Sequence, residues 1–451
     1  MKKVDFDNGK LTQNILQTSL PMLVAQLLNL LYSIVDRIYI GRIEGVGTLA
    51  LGAVGLCFPV ILIITGFTNM YGMGGSPLFA MELGRGDRES AAVYLNTAFR
   101  LHIVTALALM VLGELFSPAL LQLFGATETE LAYALPYLRT YLLGTVFSMV
   151  STGMNPFINA QGYSTLGMVT VVIGAASNLV LDPLFIFTFS MGVEGAAIAT
   201  VISQGFSMLF VLWFLRSPQN QFPVRFCLSF PRAGEIMGLG TVPFIMSATN
   251  SLVSVTCNGV LMDCGGSAYV SVMTIVSSVR QVVCTPVEAI SEGTSPIISY
   301  NYGAGRYQNV RKAIRIMTGL CVGYTIVMWA LIMWVPQAFI SMFSSDEALL
   351  ASAVPALHMY FFTFVFQSFQ HTGQTVFKSL NRKKQAIFFS LFRKVILVVP
   401  LTYLFAYAAN WGTDGVFWAE PVSNLIGGIA SYTTMLILVY RKPGPMEEPC
   451  R

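Results

Sequence analysis

Apolar runs long enough to cross a bilayer, which takes about 20 residues, follow one another almost from end to end of this chain, with only short polar breaks between them. Such a chain has few options. Lipid offers no hydrogen bonds to the backbone, so each run must be a helix that satisfies its own amides, and each break a connection at a membrane face. Composition agrees: 55% of the 451 residues are hydrophobic and 11% are charged, whereas soluble domains carry roughly 25% charged residues. No stretch is left over for a soluble domain.

Hydropathy windows place spans at 13–40, 48–75, 94–117, 132–157, 165–188, 194–216, 236–262, 267–296, 313–336, 353–377, 385–409 and 414–440. Twelve spans put both termini on one side. The loops on that side carry Lys2, Lys3, Lys10, Arg85, Arg88, Arg225, Arg306, Lys383, Lys384, Lys442 and Arg451 among other bases, and the opposite loops carry only Arg42. By the positive-inside rule both termini are expected in the cytoplasm, with the chain multi-pass in the cell (inner) membrane of a bacterium or archaeon. The net charge of +4 is then a topology signal, and nucleic acid is not an expected partner. The start, MKKVDFDNGK, is basic but carries two aspartates, and the run behind it is longer than a signal-peptide core. It is expected to remain as the first span.

The chain repeats itself. A shift of 219 residues lays GSPLFAMELGRGD (75–87) on TSPIISYNYGAGR (294–306), matching Ser76 with Ser295, Pro77 with Pro296, Gly84 with Gly303 and Gly86 with Gly305. The same shift carries Phe124, Glu128 and Pro136 onto Phe343, Glu347 and Pro355. A shift of 220 carries GVEGAAIA (192–199) onto GTDGVFWA (412–419). Six spans return a chain to its starting side, so the copies share one orientation. The expected fold is therefore all-α: twelve transmembrane helices in two six-helix lobes related by a pseudo-twofold axis along the membrane normal. The lobes are 1–216 and 236–451. The proline-rich cytoplasmic linker 217–235 joins them, and the matched segments at 75–87 and 294–306 read as loops.

The chemistry must come from polar groups inside the spans. No P-loop is present: the nearest approach, GQTVFKS at 373–379, lacks the second glycine and does not follow a strand. Histidines 102, 358 and 371 show no ligand spacing, and the seven cysteines (57, 227, 257, 264, 284, 321 and 450) are scattered without the pairing of a metal site or disulfide framework. No cofactor and no enzymatic activity are expected. In the first copy, Asp36 lies four residues after Tyr32, and Asp182 four after Asn178, so each carboxyl shares a helix face with its polar companion. At 1.5 Å per residue, Asp36 and Asp182 fall in the outer halves of spans 1 and 5, and Thr200, descending in span 6, reaches a similar height. Such oxygens could chelate Na⁺ at Asp36, Asp182 and Asn178, or the carboxylates could carry protons. Arg37, near the outer end, reads as an interface anchor.

The second copy has Val255 and Leu401 where the first has Asp36 and Asp182. It offers instead Glu288 and Glu292, four apart in span 8, Arg280 two turns earlier, and Glu420 beside Pro421. These four form a candidate second-lobe site for protons or substrate, or a structural ion pair through Arg280. The 22 methionines and the 12% aromatic content suit a site that accepts many apolar shapes.

These residues together resemble the multidrug and toxic compound extrusion (MATE) family, in the branch of MepA-type bacterial pumps. The resemblance rests on SPLFAMELGRGDRESA and SPIISYNYGAG, on NLVLDPLFIF followed by GVEGAAIAT, and on the paired six-span copies. It implies secondary active export of cationic amphipathic drugs in exchange for H⁺ or Na⁺, by alternating access of two lobes. It also implies a cation-coupling site made of Asp36 with Tyr32, Asn178 with Asp182, Thr200 and Asn155. Small cationic drugs and membrane lipids are the expected partners, and a monomer the expected state. A flippase for a lipid-linked precursor is the rival reading; it would call for a strongly basic central cavity.

Overall fold

The computed structural model describes residues 3–7, 9–43, 45–224, 229–343 and 347–441. Lys2, Arg225, Lys442 and Arg451, counted above for topology, and Cys227 and Cys450 lie outside them. Fifteen α-helices are present among the described residues: α1 (Leu11–Gly41), α2 (Gly47–Arg85), α3 (Arg88–Leu123), α4 (Glu128–Leu143), α5 (Thr145–Ala160), α6 (Ser164–Pro183), α7 (Gly192–Arg216), α8 (Ala233–Gly303), α9 (Tyr307–Trp334), α10 (Pro336–Ile340), α11 (Glu347–Phe361), α12 (Phe364–Ser379), α13 (Lys383–Leu391), α14 (Val399–Tyr403) and α15 (Thr413–Arg441). No strand occurs among the described residues.

The twelve expected spans are all there, some of them broken. Nine helical segments among the described residues are individually long and apolar enough to cross a membrane, and α11 with α12 makes a tenth, bent by 50°. The 71 residues of α8 are two spans, because Gly266 at φ 71°, ψ −169° interrupts the helical backbone. That conformation is open only to glycine, and it turns the chain back without a loop. The remaining span is α4 with α5, joined through Gly144. Large apolar side chains such as Leu115, Trp213, Val255 and Trp334 stay exposed, as helices facing lipid require.

One expectation is corrected. The segments at 75–87 and 294–306 are helix rather than loop: α2 runs to Arg85 and α8 to Gly303. Hydropathy marks where lipid ends, and a helix whose own amides are satisfied can continue into water. Each extension stops at a matched glycine, Gly86 at φ 79° and Gly305 at φ 70°. After Gly86 the next helix is capped at once, Asp87 Oδ1 accepting from the Ser90 N–H at 2.9 Å. Those hydrogen bonds hold the Asp87 carboxyl below its ordinary value of 3.8.

The repeat is written into the backbone as well. π-helical turns at Leu184–Thr188 and Leu404–Ala408 are each followed by two residues of positive φ, Ser190 and Gly192 in one copy and Asn410 and Gly412 in the other. The N–H groups of Met191 and Trp411 donate to the carbonyls of Phe185 and Phe405, both at 3.1 Å. A Cβ on Gly195 would lie 2.8 Å from the Phe185 backbone, and one on Gly415 would lie 2.6 Å from that of Phe405.

The chain divides into two compact units, Met1–Asp5 with Pro21–Pro243, and Phe6–Leu20 with Phe244–Arg451. This differs from a division at the polar linker 217–235. The linker is fastened to α3: Thr97 Oγ1 donates to Pro231 O at 2.9 Å, Arg100 Nη1 to Ser229 O at 2.6 Å, and the Tyr94 hydroxyl to Glu235. The start of α8 packs on α2, where a Cβ at Gly240 would come within 1.9 Å of Met70 O. Conversely, Ser19 of α1 packs within the second unit, 3.4 Å from Ile290 O and flush against Gly293. In the first unit Phe79 is centred between the rings of Phe157 and Phe222, at 5.6 and 5.3 Å. The second unit is built on an apolar cluster that includes Val276, Leu357, Phe361, Phe364 and Phe417.

Candidate functional site

In the first unit, Asp182 is fully buried near the end of α6, and its carboxyl lies against that of Asp36 from α1. Asn178, one turn before Asp182, donates from Nδ2 to Asp182 Oδ1 at 2.9 Å and to Thr200 Oγ1 of α7 at 3.4 Å. The four-residue spacing read from the sequence is therefore a formed contact. Asp36 Oδ1 and Asp182 Oδ2 are buried with no hydrogen-bond partner, and neither carboxyl enters an ion pair among the described residues. Arg37, the adjacent base, is exposed and lies within electrostatic reach of Asp36. Two facing carboxyls with orphaned oxygens and no ion-paired base among the described residues are suited to sharing a positive charge from outside the chain, whether a proton or an alkali ion.

Tyr32 lies one turn before Asp36 and within electrostatic reach of both carboxyls. Three further groups join the cluster. Tyr137 and Tyr141 of α4 stack at 6.3 Å; Tyr137 lies within electrostatic reach of Asp36 and Tyr32, and Tyr141 lies beside Gln204 of α7. Sequence reasoning missed all three. The available signal was the same four-residue spacing, since Tyr141 follows Tyr137, and Gln204 follows Thr200, by one turn.

Asn155 is not part of this cluster. Its Nδ2 donates to Gly167 O at 2.9 Å, and its Oδ1 accepts from Asn159 at 3.2 Å. Gly167 lies fifteen residues before Asp182 on α6, about 22 Å away at 1.5 Å per residue. What links Asn155 to the carboxyl pair is a cavity of ≈ 280 Å³ in the first unit, whose wall includes Asn155 together with Tyr32, Asn178, Thr200 and Gln204. Met22, Met73 and Met168 line it too, beside the amides of Gln26, Asn29 and Asn69. Flexible thioethers and neutral polar groups make a wall that tolerates varied shapes.

In the second unit Arg280 lies within electrostatic reach of both Glu420 and Glu288, but no ion pair joins the four expected residues to one another among the described residues. Glu420 is buried and neutralised: its Oε1 accepts from Arg393 Nη1 at 3.0 Å and from Lys394 Nζ at 2.8 Å. It is a structural anchor rather than a free carboxylate. Glu288 and Glu292 face each other electrostatically, with Arg280 and then Lys378 within electrostatic reach of Glu288, and neither glutamate forms an ion pair with Arg280 among the described residues. Two helical turns, about 12 Å, separate Arg280 from Glu288. No group of three or more His, Cys, Asp or Glu with metal-holding geometry occurs among the described residues.

Comparison with known proteins follows the same outline. The MatE family model matches residues 21–184 and 243–404, one match to each copy of the repeat. The multidrug export protein MepA of Staphylococcus aureus (strain MRSA252) is 23% identical over 438 residues, covering 96% of this chain and 95% of that protein. An FAD transporter of Shewanella oneidensis is 26% identical over 432 residues and 93% of each chain. Among solved structures, a MATE protein in complex with MaD3S superposes with a TM-score of 0.91 at 22% identity, over 98% of this chain and 99% of its own. The outward-facing conformation of a multidrug resistance MATE family transporter superposes with a TM-score of 0.90 at 22% identity over 98% of each chain. The fold is thus that of twelve transmembrane helices in two lobes.

Proposed function

We propose, on the premise that the chain belongs to the MatE family and is a multi-pass membrane protein and multidrug efflux transporter, that it is a secondary active antiporter exchanging cationic amphipathic drugs for H⁺ or Na⁺. The observation that carries this reading is the shared wall: Tyr32, Asn178 and Thr200 border both the carboxyl pair and the ≈ 280 Å³ cavity.

The coupling follows from that sharing. Without an ion, the Asp36 and Asp182 carboxyls make the cavity attractive to a cation. When H⁺ or Na⁺ binds between them, that attraction is removed, and Asn178, Thr200 and Tyr32 are drawn to the ion. A drug in the cavity and an ion at the carboxyls then favour different arrangements of the same side chains, which is the differential affinity that exchange requires. The ion is substrate here, and no cofactor enters the mechanism. The protein acts as a monomer in the cell membrane with both termini cytoplasmic, so that drug leaves the cell as the ion enters.

The test is ion-driven uptake of ethidium into everted membrane vesicles. Asp36→Asn is expected to abolish uptake driven by an imposed H⁺ or Na⁺ gradient; full activity in that variant would sink the assignment. Imposing the two gradients separately identifies the coupling ion.

A further inference from the structure

Three bases gather around one carboxylate in the membrane interior of the second unit. Arg393 and Lys394, adjacent in the π-helical turn Phe392–Val398, are buried, and both donate to Glu420 Oε1. Arg393 also donates to Asn424 Oδ1 at 2.6 Å. Arg280 reaches the same Glu420 electrostatically, beside Tyr360. Glu420 can answer one of these charges, and Glu288 reaches Arg280 electrostatically from two turns away, which leaves three bases to two carboxylates. The Nε atoms of Arg280 and Arg393 are buried with no hydrogen-bond partner. Cations in excess of their carboxylates inside a membrane are costly and mark ligand pathways.

Arg280 borders a cavity of ≈ 500 Å³ within this unit. The wall around it is made of hydroxyls and amides: Asn250, Ser254, Asn258, Ser277, Ser278 and Gln281. Neutral donors around a guanidinium offer little to a hydrophobic cation. They are the setting for a carboxylate or phosphate, whose two oxygens match the guanidinium fork. Glu288 also lines this cavity, about 12 Å farther along α8, so the wall is basic at one end and acidic at the other.

The geometry points to an oxyanion site in the second unit: Arg280 binds a terminal phosphate or carboxylate of an amphipathic molecule, and the serine and asparagine side chains complete its hydrogen bonds. The site is separate from the carboxyl pair of the first unit. Its ligand arrives either from solution or as an anionic lipid headgroup, and both share the same chemistry.

The experiment uses the full chain in phosphatidylcholine nanodiscs and two fluorescent probes that differ only in the oxyanion, 4-methylumbelliferyl phosphate and 4-methylumbelliferone. The phosphate is expected to bind about tenfold or more tightly, the range of a charge-assisted hydrogen-bond pair, and Arg280→Gln to remove that preference. Arg280→Lys, which keeps the charge but loses the fork, should retain part of it. Glu288→Gln, which removes a repelling carboxylate, should strengthen phosphate binding. Adding phosphatidylglycerol to the nanodiscs separates the sources: displacement of the probe supports the site with a lipid headgroup as its ligand, and undisturbed binding supports it with a soluble one. Equal affinity for the two probes, or an unchanged preference in a folded Arg280→Gln protein, overturns the proposal.

Discussion

Asn178 Nδ2 reaches Asp182 Oδ1 at 2.9 Å and Thr200 Oγ1 at 3.4 Å, so a single amide ties the carboxyl of α6 to the hydroxyl of α7. In the proposed exchange it is the joint through which an ion at the carboxyls would be felt by the cavity wall. Asn178→Ala should shift the dependence of transport on the coupling ion. The amide N–H stabilises the ionised Asp182 carboxyl by about 1.5–3 kcal/mol, the worth of a hydrogen bond to a charged group, so its loss favours protonation and the H⁺ concentration for half-maximal ethidium export should fall roughly ten- to a hundredfold. An unchanged ion dependence would count against the joint.

Asp36 and Asp182 face one another and should act as one site. Asp36→Asn and Asp182→Asn are each expected to remove most ion-driven export, and the double variant should lose little more, because residues sharing one ligand are not additive. Export rates in proteoliposomes for all four proteins complete the cycle. Additive losses would mean that the two carboxyls act separately.

The two glutamate sets of the second unit should behave oppositely. Glu420→Gln leaves Arg393 and Lys394 buried without their carboxylate, a loss of about 3–5 kcal/mol for a broken buried pair, and should lower the thermal unfolding temperature sharply in detergent. Glu288→Gln breaks no ion pair and should leave that temperature nearly unchanged. The reverse order would refute the structural role of Glu420.

Close helix contact in the first unit depends on Gly240. Gly240→Ala would drive a methyl to within 1.9 Å of the Met70 carbonyl, and backbone can yield only by separating α2 from α8. Overpacking of this kind costs about 1–3 kcal/mol or more, read as earlier unfolding by fluorescence-detected size exclusion. Gly259→Ala, where a Cβ meets nothing within 4 Å, is the control.

Outside the apolar spans, the Asp87 cap should be pH-sensitive. Its folded value lies below 3.8 because of the Ser90 hydrogen bonds, so the ionised cap stabilises the protein above that pH, and the contribution fades as pH falls through the lower folded value. Asp87→Ala should therefore unfold at a lower temperature than the parent at neutral pH, with the gap closing under strongly acid conditions. A gap that does not change with pH would argue against the cap.

The spans and the repeat were legible because each depends on local pattern. Apolar runs of membrane length can only be helices, and Gly86, Gly305, Gly192 and Gly412 stand at matched offsets because backbone at those turns has positive φ. The pairings of Tyr32 with Asp36 and Asn178 with Asp182 were legible because four residues are one turn. Tyr137, Tyr141 and Gln204 followed the same rule but bear no charge, so nothing drew attention to them among the many polar residues of the spans. The helical extensions to Arg85 and Gly303 were hidden because hydropathy reports the edge of the lipid, not the end of a helix.

The amino-acid order by itself determined that this chain is membrane-embedded, all-helical, twofold repeated and equipped with carboxyls in its first half. Tertiary structure alone decided which polar groups meet. It set Asp36 of α1 against Asp182 of α6, tied Asn155 to Gly167 about 22 Å along α6 from Asp182, and gave Glu420 to Arg393 and Lys394 while leaving Glu288 without an ion pair among the described residues. The reason is physical: secondary structure follows from neighbours within a few residues, whereas a buried charge takes its role from whichever distant side chain the packing brings within hydrogen-bonding reach.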